Sequence, residues 1–170
     1  MITLVAGNVG KGKTLFAVID AYYNKINLHH LIYTNMNSLT FKDKYITSLE
    51  QLDDDNNPDK FKLLFLDEIY MWLDSRESLT KRNRIRTYKF LQSRKDYYNI
   101  IGTLQDFYSI DVRFRHITDY LIYPEVNLDK HLLFYSVFNP KTLQILKTNA
   151  ISFKSEILQM YNHREKQNNV

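Results

Sequence analysis

The sequence predicts an α/β domain on a mainly parallel sheet, with helices on both faces and a C-terminal hairpin at one edge. Three observations carry that expectation. A short apolar run, "ITLVA" (Ile2–Ala6), leads directly into the glycine-rich octet "GNVGKGKT" (Gly7–Thr14). Further apolar runs alternate along the chain with stretches of helical spacing, the pattern of strand–helix–strand units. One of those runs, "KLLFLDE" (Lys62–Glu68), ends on two adjacent carboxylates, at the strand end where open α/β sheets place ligands.

Taken in order, Ile2–Ala6 is bounded by glycine and has no polar alternation, so it reads as a strand buried on both faces. Leu15, Val18, Ile19 and Tyr22 then recur at helical spacing, so a helix begins within the GKT. "HLIYTN" (His30–Asn35) is a second strand. "DDDNNPDK" (Asp53–Lys60) combines charge, asparagine and proline and reads as a solvated loop; it lacks the glycine and terminal glutamate of a calcium loop. After the Lys62–Glu68 strand, Leu79–Asp96 has neither glycine nor proline and reads as a basic helix. "NIIGTLQ" (Asn99–Gln105) is a strand with polar Thr103 and Gln105 at its end, and "DYLIYP" (Asp119–Pro124) is a strand closed by its proline. His131–Thr148 reads as two strands about an Asn139–Pro140 turn. The expected division is a domain over 1–154 and a C-terminal helix with a polar tail over 155–170.

Composition excludes several classes of function. At 170 residues with 44% hydrophobic and 25% charged side chains, the chain suits one globular domain. Without cysteine there is no disulfide framework and no thiolate metal site, and the five histidines fall at no HxxxH or HExxH spacing, which argues against a zinc enzyme. No run reaches the roughly 18 apolar residues of a membrane span, and no basic-then-apolar leader opens the chain, so a cytoplasmic setting is expected. A net charge of +4 leans weakly toward a polyanionic partner.

Three of the four glycines lie in the octet, which matches G-x-x-x-x-G-K-[ST] between a strand and a helix. Glycine lets the loop turn its backbone N–H groups inward around phosphates, and the helix that follows presents its unpaired N–H groups to them. Gly7, Asn8, Val9, Gly10, Lys11, Gly12, Lys13 and Thr14 are therefore expected to cradle ATP or GTP, with Lys13 on the β- and γ-phosphates and the Thr14 hydroxyl on Mg²⁺. Lys11 adds a nearby charge or faces solvent. Asp67 is the expected second Mg²⁺ residue, acting through water, and Glu68 is suited to activate water against the γ-phosphate, which points to hydrolysis. Gln105, at the same sheet edge, either senses the γ-phosphate or satisfies a loop amide.

The segments "MITLVAGNVGKGKTLFAVIDAYY", "LLFLDEIYMWLDSRES" and "FLQSRKDYYNIIGTLQDFYSIDVRFRHITDYLIYP" together resemble the FtsK/HerA superfamily of P-loop ATPases, in its Zot-like and viral genome-packaging branch. The order is more telling than any one motif: "DE", a later "SRK", a strand ending in "TLQ", then "SIDVRFRHITDY". The resemblance implies a RecA-like (ASCE) domain with an added strand between the Walker A and Walker B strands. It implies an ATPase that assembles as a ring, usually a hexamer, to move DNA, with a capsid or portal-type protein as a further partner and the host cytoplasm as its setting if viral. It gives Gln105 a sensor role and calls for an arginine finger from the neighbouring subunit: Arg94, eleven residues before Gln105, or else Arg113 or Arg115. Zot-like proteins of filamentous phages usually carry a membrane span and an outer domain; their absence here favours a soluble motor.

Between Lys81 and Lys95 seven residues are basic and none acidic. Lys81, Arg82, Arg84, Arg86 and Lys89 suit first a DNA phosphate backbone, then a neighbouring subunit's acids and phosphates, and last plain solvent. Two other functions fit the same motifs. A thymidine-kinase-like phosphotransferase also pairs a phosphate loop with a "DE" strand end, but usually carries a cysteine zinc site. An ATP-dependent assembly scaffold would bind nucleotide without translocating DNA.

Overall fold

The computed structural model describes residues 1–52, 59–73, 88–90, 92 and 97–162. Among these, eight strands form one sheet: β1 (Ile2–Ala6), β2 (Leu31–Thr34), β3 (Lys44–Tyr45), β4 (Lys62–Leu66), β5 (Tyr98–Leu104), β6 (Tyr120–Asn127), β7 (Leu132–Phe138) and β8 (Ile145–Ser152). Their order across the sheet is β3-β2-β4-β5-β1-β6-β7-β8. The first six are mutually parallel, and β7 and β8 add an antiparallel edge. β5 thus separates the strand that leads into the octet from the strand that ends in Asp67 and Glu68, which is the inserted-strand order expected above.

The sheet is covered on both sides because its central strands are mostly apolar and buried at nearly every position. Every residue of β1 and β4 is buried, and the period-2 geometry of a strand sends neighbours to opposite faces. Leu4, Leu64, Leu66 and Ile100 enter one core with Trp72, Leu73, Phe90 and Phe114. Val5, Leu63, Phe65 and Ile101 enter the other. There they meet helix α1 (Lys13–Asn27), whose Leu15, Phe16, Val18 and Ala21 form the buried stripe. Lys62, 1% exposed, keeps its ammonium over the Tyr98 ring at 5.1 Å, which lets a charge sit inside an otherwise apolar strand.

Two local expectations are corrected, and one short strand is added. β6 does not close at Pro124 but continues to Asn127. The last β1–β6 pair is Val5 with Ile122, and Pro124 lies beyond it, where a missing N–H interrupts no parallel ladder. The two-residue β3 is too short to leave any periodic trace in the sequence. The expected C-terminal helix is, over its described part, a 3₁₀ turn at Ser155–Gln159. The Asn139–Pro140 hairpin forms as expected between β7 and β8. Asp53–Pro58 lies outside the described residues, while Asp59 and Lys60 are exposed.

Gly102, the one glycine outside the octet, sits in β5 beneath Ile69. A Cβ there would lie 2.6 Å from Ile69 Cδ1 and 3.0 Å from both Ile69 Cβ and Cγ2. Ile69 is fully buried and directly follows Glu68, so it has no free space to retreat into. Gly102→Ala is expected to lower stability by about 1–3 kcal/mol, the usual cost of overpacking, read as an earlier urea midpoint; an unchanged midpoint would mean that Ile69 yields freely.

Candidate active site

The octet leaves the end of β1 and turns back into α1 through three glycines in left-handed backbone: Gly7 at φ 140°, Gly10 at 81° and Gly12 at 89°. Gly12 is required twice over, because a Cβ would also stand 2.9 Å from Val126 Cβ and 3.0 Å from Leu133 Cδ1. The β6–β7 hairpin therefore presses directly on the start of α1. Gly12 caps that helix without a side-chain hydrogen bond, and its first turn holds no acidic residue. The first N–H groups of α1 are left for an anion, with the positive end of the helix dipole behind them. Lys13 is buried, and its Nζ donates to Asn8 O across the loop at 3.1 Å. Asn8, Val9 and Gly10 are exposed. Lys11 turns away to pair with Glu125 on β6 at 2.8 Å.

At the end of β4 four side chains converge. Thr14 Oγ1 donates to Asp67 Oδ1 at 3.1 Å, and Thr103 Oγ1 donates to the same oxygen at 2.6 Å. The Asn35 side chain grips the Asp67 backbone twice: its Nδ2 donates to Asp67 O, and its Oδ1 accepts from Asp67 N, both at 2.8 Å. Glu68 N donates to Thr103 Oγ1 at 2.9 Å. Glu68 itself is in left-handed backbone, φ 53° and ψ 52°, rare for a residue with a side chain. Its Oε2 is buried without a hydrogen-bond partner. Burial first, then the Asp67 charge, push its carboxyl above the ordinary glutamate range, against an opposing pull from Lys13. Gln105 lies exposed one residue past β5, and its carbonyl accepts from Gly7 N at 3.3 Å, tying the strand end to the loop.

The donor set suits a small hard cation. Mg²⁺ takes one or two protein oxygens and completes its shell with phosphate and water; Thr14 and Asp67 supply such a pair at the start of α1. Among the described residues no cluster of three or more His, Asp or Glu exists to form an all-protein cage. Beside the loop, a cleft of about 540 Å³ runs from Gly7, Asn8 and Gln105 to an aromatic wall of Tyr123, Phe134 and Phe138.

The other site residues of the sequence fall elsewhere. Arg113 is held by the fully buried Asp111 of the same chain, to which its Nε donates at 2.9 Å. Arg115 lies over the Phe107 and Tyr108 rings, 5.9 and 5.1 Å from their centroids. Arg94, Lys81, Arg82, Arg84 and Arg86 lie outside the described residues; Lys89 is helical and half-exposed. Sequence reasoning missed Asn35 and the gripping role of Thr103. Each ends a strand with a polar side chain, the same signal that singled out Gln105.

A parallel sheet whose first strand feeds a glycine-rich loop into a helix, with an inserted strand before the acidic one, is the RecA-like P-loop NTPase fold. No protein-family model and no curated protein matches the sequence. Solved structures do share the fold. The chain is similar to the N-terminal domain of zonular occludens toxin from Neisseria meningitidis, with a TM-score of 0.65 at 13% identity over 95% of this chain and 98% of that one. It is also similar to the genome packaging NTPase B204 from Sulfolobus turreted icosahedral virus 2, in complex with AMPPCP, with a TM-score of 0.57 at 15% identity over 87% and 96%. These are the two kinds of protein named by the motif resemblance, and at such identities the likeness is one of fold.

The Glu68 shift has a consequence for stability. A carboxyl raised by folding contributes stability below its unfolded pKa and loses it as pH climbs through the folded value. Ionised Glu68 therefore destabilises the free protein at neutral pH. In metal- and nucleotide-free buffer, Glu68→Gln is expected to unfold later than wild type at pH 7, with the advantage shrinking as pH falls through the raised range of the carboxyl and gone below about 4. A constant or reversed difference in thermal unfolding would contradict it.

Proposed function

We propose that this chain is a Mg²⁺-dependent ATPase of the FtsK/HerA type that works as a ring, usually hexameric, to translocate DNA, in viral or mobile-element genome packaging. The observation that carries the hydrolytic half is the meeting of Thr14 and Asp67 at 3.1 Å beside a glutamate whose Oε2 has no partner. The Gly7–Thr14 backbone and Lys13 hold the phosphates, and Thr14 with Asp67 holds the cation. Bound Mg²⁺ and ATP supply the neutralised phosphoanhydride bond that is cut. Glu68 accepts a proton from the attacking water, a role helped by a carboxyl more basic than usual. Gln105 senses the γ-phosphate, and the aromatic cleft seats the nucleoside.

The translocating half rests on the motif order, on the basic residues Lys81, Arg82, Arg84, Arg86 and Lys89, and on fold neighbours that include a genome packaging NTPase. Arg94 is the proposed finger given to the next subunit. Both arginines among the described residues, Arg113 and Arg115, are engaged within their own short helix Val112–Ile117 or on the rings before it. A completing arginine in trans is worth roughly 10³–10⁵ in rate, so an isolated subunit is nearly inactive.

Purified protein is expected to hydrolyse ATP with Mg²⁺, with turnover per subunit rising with protein concentration and on adding DNA. Glu68→Gln should cut the rate by roughly 10²–10⁴ with nucleotide still bound, and Lys13→Ala should weaken binding itself. Turnover indifferent to DNA would reduce the function to an ATP-dependent scaffold, and labelled phosphate transferred to a nucleoside would make it a kinase. Tyr123→Ala should weaken ATP roughly tenfold through lost stacking while leaving pyrophosphate competition unchanged; equal loss of both would remove the base from the cleft.

A further inference from the structure

The floor of the cleft beside the loop is a small grid of side chains on one face of β6, β7 and β8. Tyr123 pairs with Ser136 across β6 and β7, and Ser136 pairs with Thr148 across β7 and β8. Side chains directly opposite one another share a face, so these three form one row across the strands. Phe134 and Phe138, two positions either side of Ser136, flank the row on that face, and all five line the cleft. The alternate residues of β7, Leu133 and Val137, are spent on the core that α1 shares. Phe134 is 44% exposed, and Phe138 stands edge-on to the Tyr123 ring at 5.3 Å.

Between these rings Ser136 Oγ and Thr148 Oγ1 lie 3.2 Å apart, and either hydroxyl can donate to the other. With Ser136 donating, the free proton is on Thr148 and Ser136 keeps an acceptor; with Thr148 donating, the order is reversed. The charged and backbone groups of the cleft sit at its loop end, where Lys11 pairs with Glu125 and Gln105 O accepts from Gly7 N. Tyr123 leads from one end to the other, its ring 4.0 Å from the Cβ position of Gly7. Ser136 and Thr148 lie one and two strands farther out, about 5 and 10 Å on.

We infer that the Ser136–Thr148 pair reads the edge of the base, accepting adenine and guanine alike and disfavouring pyrimidines. The inference rests on the nucleotide-site reading proposed above, which seats the nucleoside in this cleft. Adenine presents the N6–H donor beside the N1 acceptor, and guanine presents the O6 acceptor beside the N1–H donor, the opposite order. An amide or a charged group fixed in place would match one order and leave the other unpaired. The hydroxyl pair matches both by reversing its own bond. A pyrimidine, one ring shorter, stops short of the outer strands and leaves the pair to water.

The test is competition of ATP, GTP, CTP and inorganic tripolyphosphate against a fluorescent ATP analogue, with Mg²⁺, for wild type, Ser136→Ala and Thr148→Val. Wild type is expected to hold ATP and GTP within about threefold of each other, and CTP about tenfold more weakly. Each substitution should weaken both purine nucleotides about 3- to 10-fold, the effect of one lost hydrogen bond, and leave tripolyphosphate as it was. If neither the analogue nor tripolyphosphate binds, the nucleotide-site reading falls and this inference with it. Tripolyphosphate that binds normally leaves the phosphate site standing and isolates the base. In that case a strong preference for one purine, CTP held as tightly as ATP, or unchanged ATP and GTP in both variants overturns the inference. A pair that merely zips β7 to β8 would give the last of these results together with an earlier unfolding midpoint.

Discussion

Asp67 Oδ1 accepts hydrogen bonds from two threonines that belong to different elements, Thr14 at the start of α1 and Thr103 at the end of β5. Nearly every feature of the site follows from making that meeting possible. Leu66 pairs with Gly102 across β4 and β5, so the next step along both strands brings Asp67 level with Thr103. Ala6 pairs with Leu104 across β1 and β5, so the loop springs from the same height on the other side. Hydrogen bonds to a charged acceptor contribute about 1.5–3 kcal/mol each, more than the neutral contacts around them, and so the carboxylate sets the alignment rather than adapting to it.

The residue after Asp67 shows the cost of that alignment. Glu68 occupies left-handed backbone, a conformation that costs on the order of 1–3 kcal/mol and persists only where its surroundings enforce it. Three contacts do so. Thr103 Oγ1 holds its N–H, Met71 N donates to its carbonyl at 3.0 Å, and Ile69 is packed against Gly102 in the core. The strand is stopped abruptly, and the carboxyl is left half-buried beside a second negative charge. The carboxyl at this strained position is raised by its own burial and by Asp67 beside it.

What was legible in the sequence divides along a physical line. β1, β4 and β5 are buried on both faces, and continuous apolar runs announce such strands; α1 shows its stripe, and the glycines of the octet and the Asn139–Pro140 turn punctuate sharply. The contiguous parts of the site were equally plain, because Gly7–Thr14 and Asp67–Glu68 are each delivered whole by one strand end. Asn35 and Thr103 act from 32 and 36 residues away from Asp67, and no local pattern encodes a contact of that span. The tail was misread for a related reason: Ser155–Gln159 forms a 3₁₀ turn, and Met160 and Asn162 after it are fastened to Thr40 and Ser38, far away in the sequence. Arg94 and most of the basic helix lie outside the described residues, so their roles stand on the sequence and its resemblance.

The β6–β7 hairpin carries neither the phosphate loop nor the acidic pair, yet it forms one wall of the loop. Val126 and Leu133 occupy the volume that a side chain at Gly12 would need, and Tyr123 reaches within 4.0 Å of the Cβ position of Gly7. The Lys11–Glu125 pair points the same way but is open to solvent on both sides, and screened surface pairs of that kind add little. The bracing is therefore steric, and steric contact at close packing transmits displacement with little loss. A shift of the β6–β7 hairpin cannot be absorbed at Gly12, where there is no side chain to yield; it must move the first turn of α1, and with it Thr14 and the carboxylate that Thr14 meets. The hairpin is in this sense a lever on the loop, built from residues whose own sequence reads as nothing more than an edge.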